Sequence, residues 1–144
     1  MTQEQKDLLL KDLCARLPYG VIVNVKGFDF DFKDKLTQIY KEGYGCSIQV
    51  TNNMPYGIEQ VKPYLFPLSS MTDELWDKEF RGYCITEFTR DSFKYGCETL
   101  EFYNGNPVLS NINGFINSLI KNHFDIYGLI PMGLANDATG KNIY

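Results

Sequence analysis

The sequence predicts an α+β fold: an N-terminal helix on a small, strongly bent antiparallel β-sheet or SH3-like barrel, followed by a helix, a hairpin and a C-terminal helix. Three observations predict it. Apolar residues recur at helical spacing near both ends, as Leu9, Leu10, Leu13, Cys14 and Leu17, and as Leu109, Ile112, Ile116, Leu119 and Ile120. Between Tyr19 and Val61 the apolar period changes to two, with turn signals between the runs. No internal repeat or low-complexity tract interrupts the chain, and no apolar run approaches the ~18 residues that a membrane span needs.

Taken in order, Thr2 and Gln5 make a capping box, in which a hydroxyl accepts from an orphan backbone N–H and an amide reaches back. A helix over 3–17 follows and stops at Pro18, because the residue before proline is pushed out of the α region. Val21, Val23 and Val25 then alternate with Ile22 and Asn24. Phe28, Phe30 and Phe32 alternate with Asp29, Asp31 and Lys33, which sets the acids on a solvent face opposite three rings. Leu36–Tyr40 is the next candidate strand, Gly43-Tyr44-Gly45 a turn, and Cys46, Ile48 and Val50 another strand. Thr51-Asn52-Asn53 is a turn signal, and Ile58–Val61 a last short strand or 3₁₀ turn. Short strands joined by tight turns suggest a meander curling into a small barrel, with an open sheet packed on the helix as the competing layout.

Pro63 and Pro67 argue against any regular element over Lys62–Ser70. Thr72 caps a short helix whose first turn carries Asp73 and Glu74, with Leu75, Trp76 and Phe80 on its buried face. Residues 83–103 read as a hairpin. Asn106-Pro107 reads as the start of a helix over 107–122, with proline at its first position. Gly128, Pro131 and Gly133 break an apolar tail into an irregular segment pinned to the core. The expected division is residues 1–70, helix plus small β part, with 71–144 packed on it as one compact unit.

Composition narrows the function. Hydrophobic residues make up 44% and charged residues 22%, and 14 bases against 18 acids give a net charge of −4. That excludes a disordered acidic tail, a collagen-like repeat and a basic nucleic-acid arm. Residues 1–70 hold eight bases and eight acids, residues 71–144 six and ten. No run of Lys and Arg stands out along the chain, so nucleic acid is disfavoured as a partner and another protein is expected instead. No membrane partner is expected, and the oligomeric state is left open. The polar start from Met1 to Asp7 and four cysteines without a C-x-x-C pair imply a reducing, cytoplasmic location. Cys14 falls on the apolar side of the first helix, the usual place for a buried thiol.

No residue is nominated as catalytic, cofactor-binding or metal-ligating. His123 is the only histidine, and a zinc site needs three or four N or S ligands. It is explained by a helix C-terminus, where the dipole favours an imidazolium. Pairing of Cys84 or Cys97 with His123 has no local support. Asp29, Asp31 and Asp34 lack the glycine and glutamate of a calcium loop, and the glycines form no phosphate cradle. The candidate interaction surface is Tyr40, Tyr44 and Tyr56 near turns, where rings stack on bases or sit wet-tipped at a barrel rim. The expected function is a non-enzymatic protein-interaction module, with single-stranded nucleic-acid binding through the barrel face as the alternative.

Three strings carry a resemblance: Leu8-Leu9-Leu10-Lys11-Asp12-Leu13-Cys14-Ala15-Arg16-Leu17-Pro18-Tyr19-Gly20-Val21, Val61-Lys62-Pro63-Tyr64-Leu65-Phe66-Pro67-Leu68-Ser69-Ser70-Met71-Thr72, and His123-Phe124-Asp125 with Tyr127-Gly128-Leu129-Ile130. Together they resemble a family of short uncharacterised proteins from gut Bacteroidales genomes and their phages or prophages. In that family the first two strings bracket a variable β-rich stretch and the third lies near the C-terminus. The resemblance implies a bacterial or phage source and brings no activity or site residues. Phe66 stands where the family often has a basic residue, and Asn122-His123 where it often has a histidine pair.

Overall fold

The computed structural model describes residues 1–27, 29–42, 45–84, 102–103, 106–107 and 109–144. Helix α1 spans Gln3–Arg16, and the Thr2–Gln5 capping box closes its first turn. Leu17–Tyr19 tightens into a 3₁₀ turn around Pro18, and Gly20 leaves it with φ of 69°. The strands are β1 Ile22–Lys26, β2 Asp31–Glu42, β3 Gly45–Val50, β4 Pro55–Gly57, β5 Val61–Leu65, and β8 Asn136–Asp137 from the tail. Their order in one sheet is β4-β3-β2-β1-β5-β8.

The sheet is open, which corrects the barrel expectation. Closure would require β4 to pair with the far edge of the sheet; β5 lies antiparallel beside β1, with Val61 opposite Val25, its other edge takes β8, and the strand order ends at β4 and β8. The tail then adds β8 in parallel, Tyr64 opposite Asn136, so the sheet is mixed rather than antiparallel. Two candidate strands of the sequence reading merge into the single β2, bent where its register to β3 shifts between Leu36 and Gln38. Phe30 lies before β2 and is 71% exposed, though its ring meets Phe32 edge to face at 6.2 Å, so of the rings expected opposite Asp29 and Asp31 only Phe32 reaches the core among the described residues. Phe28 is outside the described residues.

The strand β5 also corrects the expectation that the prolines forbid regular structure. Pro63 pairs with Val23, while β8 reaches only Tyr64 and Leu65, so at Pro63 the strand has a free edge and the missing N–H leaves no gap in the ladder. Helix α2, Asp73–Glu79, starts at Thr72, whose Oγ1 accepts from the Leu75 N–H. Residues 85–101, which carry most of the expected hairpin, lie outside the described residues; Phe102–Tyr103 (β6) pairs with Asn106–Pro107 (β7). The last helix, α3 (Ile112–Lys121), therefore begins at Ile112 and not at Pro107. Asn111 caps it, accepting from the Gly114 N–H at 2.9 Å, and Leu109 is held outside by a bridge to Cys84.

Two apolar clusters fill the interior. One lies between α1 and the sheet and includes Leu9, Leu13, Val23, Val25, Leu36, Ile48 and Leu129. The other is aromatic: Trp76, Phe80, Phe115 and Phe124 pack under α2 and α3, with Phe80 and Phe115 edge to face at 5.4 Å. Such pairs contribute about 0.5–1.5 kcal/mol beyond area burial. Arg16 joins the clusters. It is fully buried, grips Asp12 through two 2.8 Å hydrogen bonds, and donates to the carbonyls of Ile120 at 3.1 Å and Phe124 at 2.7 Å. Cys14, on another side of α1, is exposed, which corrects the reading of it as a buried thiol. The helix buries Leu9, Asp12, Leu13 and Arg16, a stripe rotated away from Cys14. Beyond α3, Asp125 accepts from the N–H groups of Leu129 and Ile130 at 2.8 Å each, which pins the irregular tail.

Candidate functional site

Directly opposed residues of neighbouring strands point to the same face of a sheet. Val23, Val25, Phe32, Leu36, Ile48 and Val50 thereby share the core face. The opposite face is set by Asn24, which stands between Lys33 of β2 and Lys62 of β5. Ile22 faces Lys35, and Lys26 faces Asp31, on the same side. Past the shift in β2, the Gln38–Gln49 and Tyr40–Ser47 pairs continue that face. Lys26, Lys33, Lys35 and Lys62 are all exposed, so nothing among the described residues covers them. Lys141 joins them from the tail: its Nζ and that of Lys33 each stand 5.5 Å from the centre of the Tyr64 ring.

A chain of net charge −4 thus gathers five lysines on one open face. The acids beside them are Asp31 and, next to Lys141, Asp137. None of the five makes an ion pair among the described residues. Lys33 and Lys35 sit about 7 Å apart along one strand, and adjacent strands lie about 4.8 Å apart. Like charges at this spacing repel, and an anion laid across them relieves the repulsion.

Where this face reaches the tail, a cleft of about 330 Å³ opens, lined by Phe66, Leu75, Lys121, His123, Phe124 and Tyr144 among others. His123 enters it from the end of α3. Its N–H bonds Ile120 at 3.0 Å, its carbonyl accepts from Phe66 at 2.9 Å, and its φ is 59°, a left-handed conformation uncommon outside glycine. The residue is 8% exposed, and its Nδ1 is sealed off with no hydrogen-bond partner. Burial first, and the nearby Arg16 charge second, push its pKa down to about 4. The imidazole is therefore neutral at pH 7, which corrects the reading of it as a dipole-stabilised imidazolium. The Tyr144 ring lies on it, 4.0 Å away and 11° from parallel. The Tyr144 hydroxyl donates to the Tyr64 carbonyl at 2.7 Å and accepts from the Ile22 N–H at 3.3 Å, and burial raises its pKa to about 12.

Of the tyrosines nominated from sequence, Tyr40 is half-buried on the lysine face. Tyr56 opposes Ile48 and so lies on the other face, with its ring 5.9 Å from Phe32. Tyr44 is outside the described residues. Tyr40 and Tyr56 are not brought to a shared surface. Cys84 is half-buried and burial raises its pKa, the reverse of what a thiolate nucleophile requires; Cys97 is outside the described residues. Among the described residues no group of three His, Cys, Asp or Glu stands close enough to hold a metal ion, and no helix is long and apolar enough to cross a membrane. The lysine face was hidden in the sequence because its members come from β1, β2, β5 and the tail; the Lys33–Lys35 alternation is its one local trace. No protein-family model, curated protein or solved structure matches this chain.

Proposed function

We propose that the protein is a non-enzymatic binding module that holds a single-stranded nucleic acid on the open face of its sheet. The observation that carries this reading is the five exposed lysines assembled there without ion-pair partners among the described residues. Phosphates need only clustered cations, and a strand laid across β1, β2 and β5 meets Lys62, Lys33 and Lys35 in succession, with Tyr40 beyond them as a stacking ring. The protein-interaction reading expected from sequence shares the module and differs in the partner; exposed lysines without ion-pair partners among the described residues argue for the phosphate chain. The phage or mobile-element source implied by the three strings belongs to the same proposal.

Fluorescence anisotropy of a short labelled single strand tests it. Binding is expected at low salt and is expected to weaken steeply as salt rises. In Lys33→Glu/Lys62→Glu, affinity is expected to fall more than roughly tenfold at low salt, and the log–log salt slope to flatten by roughly 0.7 for each phosphate that is no longer neutralised. Both residues are exposed, so folding is expected to be unaffected. Absence of binding at low salt overturns the proposal, as does equal binding by the double variant. Tighter binding of an acidic polypeptide than of the strand also overturns it and assigns the face to a protein.

A further inference from the structure

We infer that the cleft beside His123 is a nucleobase subsite that takes one ring from a strand lying on the lysine face, an inference that rests on the function proposed above. The two surfaces are continuous. Lys33 and Lys141 stand over the Tyr64 ring, the Tyr64 carbonyl holds the Tyr144 hydroxyl, and the Tyr144 ring forms both the end of that cluster and a wall of the cleft. The route from Lys33 and Lys141 to the cleft thus runs through Tyr64 and Tyr144.

The walls suit a flat ring. Phe66 and Tyr144 bring the more accessible aromatic rings to it, Phe124 lies buried behind them, and the His123 ring backs that of Tyr144. A volume of about 330 Å³ lies at the small end of ligand pockets and suits one base rather than a folded segment. His123 supplies the polar contact. Its Nδ1 is sealed and unpartnered, and a buried orphan N–H is costlier than a buried lone pair, so the proton belongs on Nε2. Nε2 is then an uncharged donor on a residue that lines the cleft, of a kind matched to the ring nitrogens and carbonyl oxygens of a base edge. Lys121 also lines the cleft, where its ammonium is paired with Glu79 at 3.5 Å.

His123 is the chain's only histidine, so its imidazole signals in an NMR spectrum belong to one residue. They are recorded during titration with an unlabelled single strand and, separately, with inorganic polyphosphate, a polyanion without bases. The expected result is a shift that saturates with the strand and none with polyphosphate. His123→Asn, which tolerates the left-handed backbone, is expected to weaken strand binding by roughly tenfold and leave polyphosphate binding unchanged. Strand binding by anisotropy without movement of the histidine signals overturns this inference and leaves the lysine face standing. Equal shifts with polyphosphate also overturn it. Histidine shifts with a free nucleoside in a protein that binds no strand would leave the cleft standing and remove the lysine face.

Discussion

Asp12→Ala is expected to destabilise the protein by about 3–5 kcal/mol, measured as a shift in the urea midpoint at unchanged slope. A domain of this size has a total stability of about 5–15 kcal/mol, so the variant approaches unfolding. The expectation follows from what is left behind. Asp12 and Arg16 are both fully buried, and burial outweighs even the Arg16 interaction in raising the Asp12 pKa. Truncating Asp12 leaves a guanidinium in the interior with only the Ile120 and Phe124 carbonyls as partners. A second substitution separates the cost of an orphaned charge from the worth of the pair. In Asp12→Ala/Arg16→Met the charge is gone, and replacing buried pairs by apolar residues is often close to neutral. Recovery is expected to be partial, because those two carbonyls then lack their donor. A loss under about 1 kcal/mol in the single variant would show that water reaches the pair.

The same residues show why some of the fold is legible in the sequence and some is not. Local signals can be read directly: the Thr2–Gln5 box, the Thr72 cap and the alternation of Val21, Val23 and Val25 each depend on neighbours within a turn or a strand. Long-range choices leave no such trace. Whether the sheet closes depends on the partner of β5, and that partner is β1 on one side and a tail segment some seventy residues onward on the other. Asn106-Pro107 and Asn111 both offer a helix start; the bridge between Cys84 and Leu109 decides for the second, and nothing near Asn106 records it. An Asp and an Arg four apart on a helix usually form a solvated pair. Here positions 9, 12, 13 and 16 share the buried stripe, so the pair became the interior link between the two clusters. The lysine face follows the same rule: no window of the sequence contains it, because strand register alone brings Lys62 beside Asn24 and Asn24 beside Lys33.

Acid is expected to destabilise the protein through His123 as pH falls from 6.5 toward 4. The imidazole has a pKa of about 4 in the folded chain against an ordinary value of 6.5. Between those values the unfolded chain binds the extra proton, so stability is complete above pH 6.5 and is lost as pH falls toward 4. The whole shift corresponds to about 3 kcal/mol, of which about 2 kcal/mol is gone by pH 5. Asp12 acts in the opposite sense. Its pKa is raised by burial, so the folded chain takes up that proton first and regains some stability as pH falls toward the ordinary 3.8. The difference between the wild type and His123→Asn isolates the imidazole from Asp12. Urea unfolding at pH 7.5 and pH 5 is expected to show the wild type losing about 2 kcal/mol more than the variant. Parallel pH profiles would mean that the ring is solvated, and a direct NMR titration of the single imidazole would then place its pKa near 6.5. The neutrality that costs acid stability also fixes the chemistry of the cleft. A ring held uncharged between Tyr144 and the Arg16 field can donate one hydrogen bond to a base edge without adding a charge that every passing phosphate would compete for.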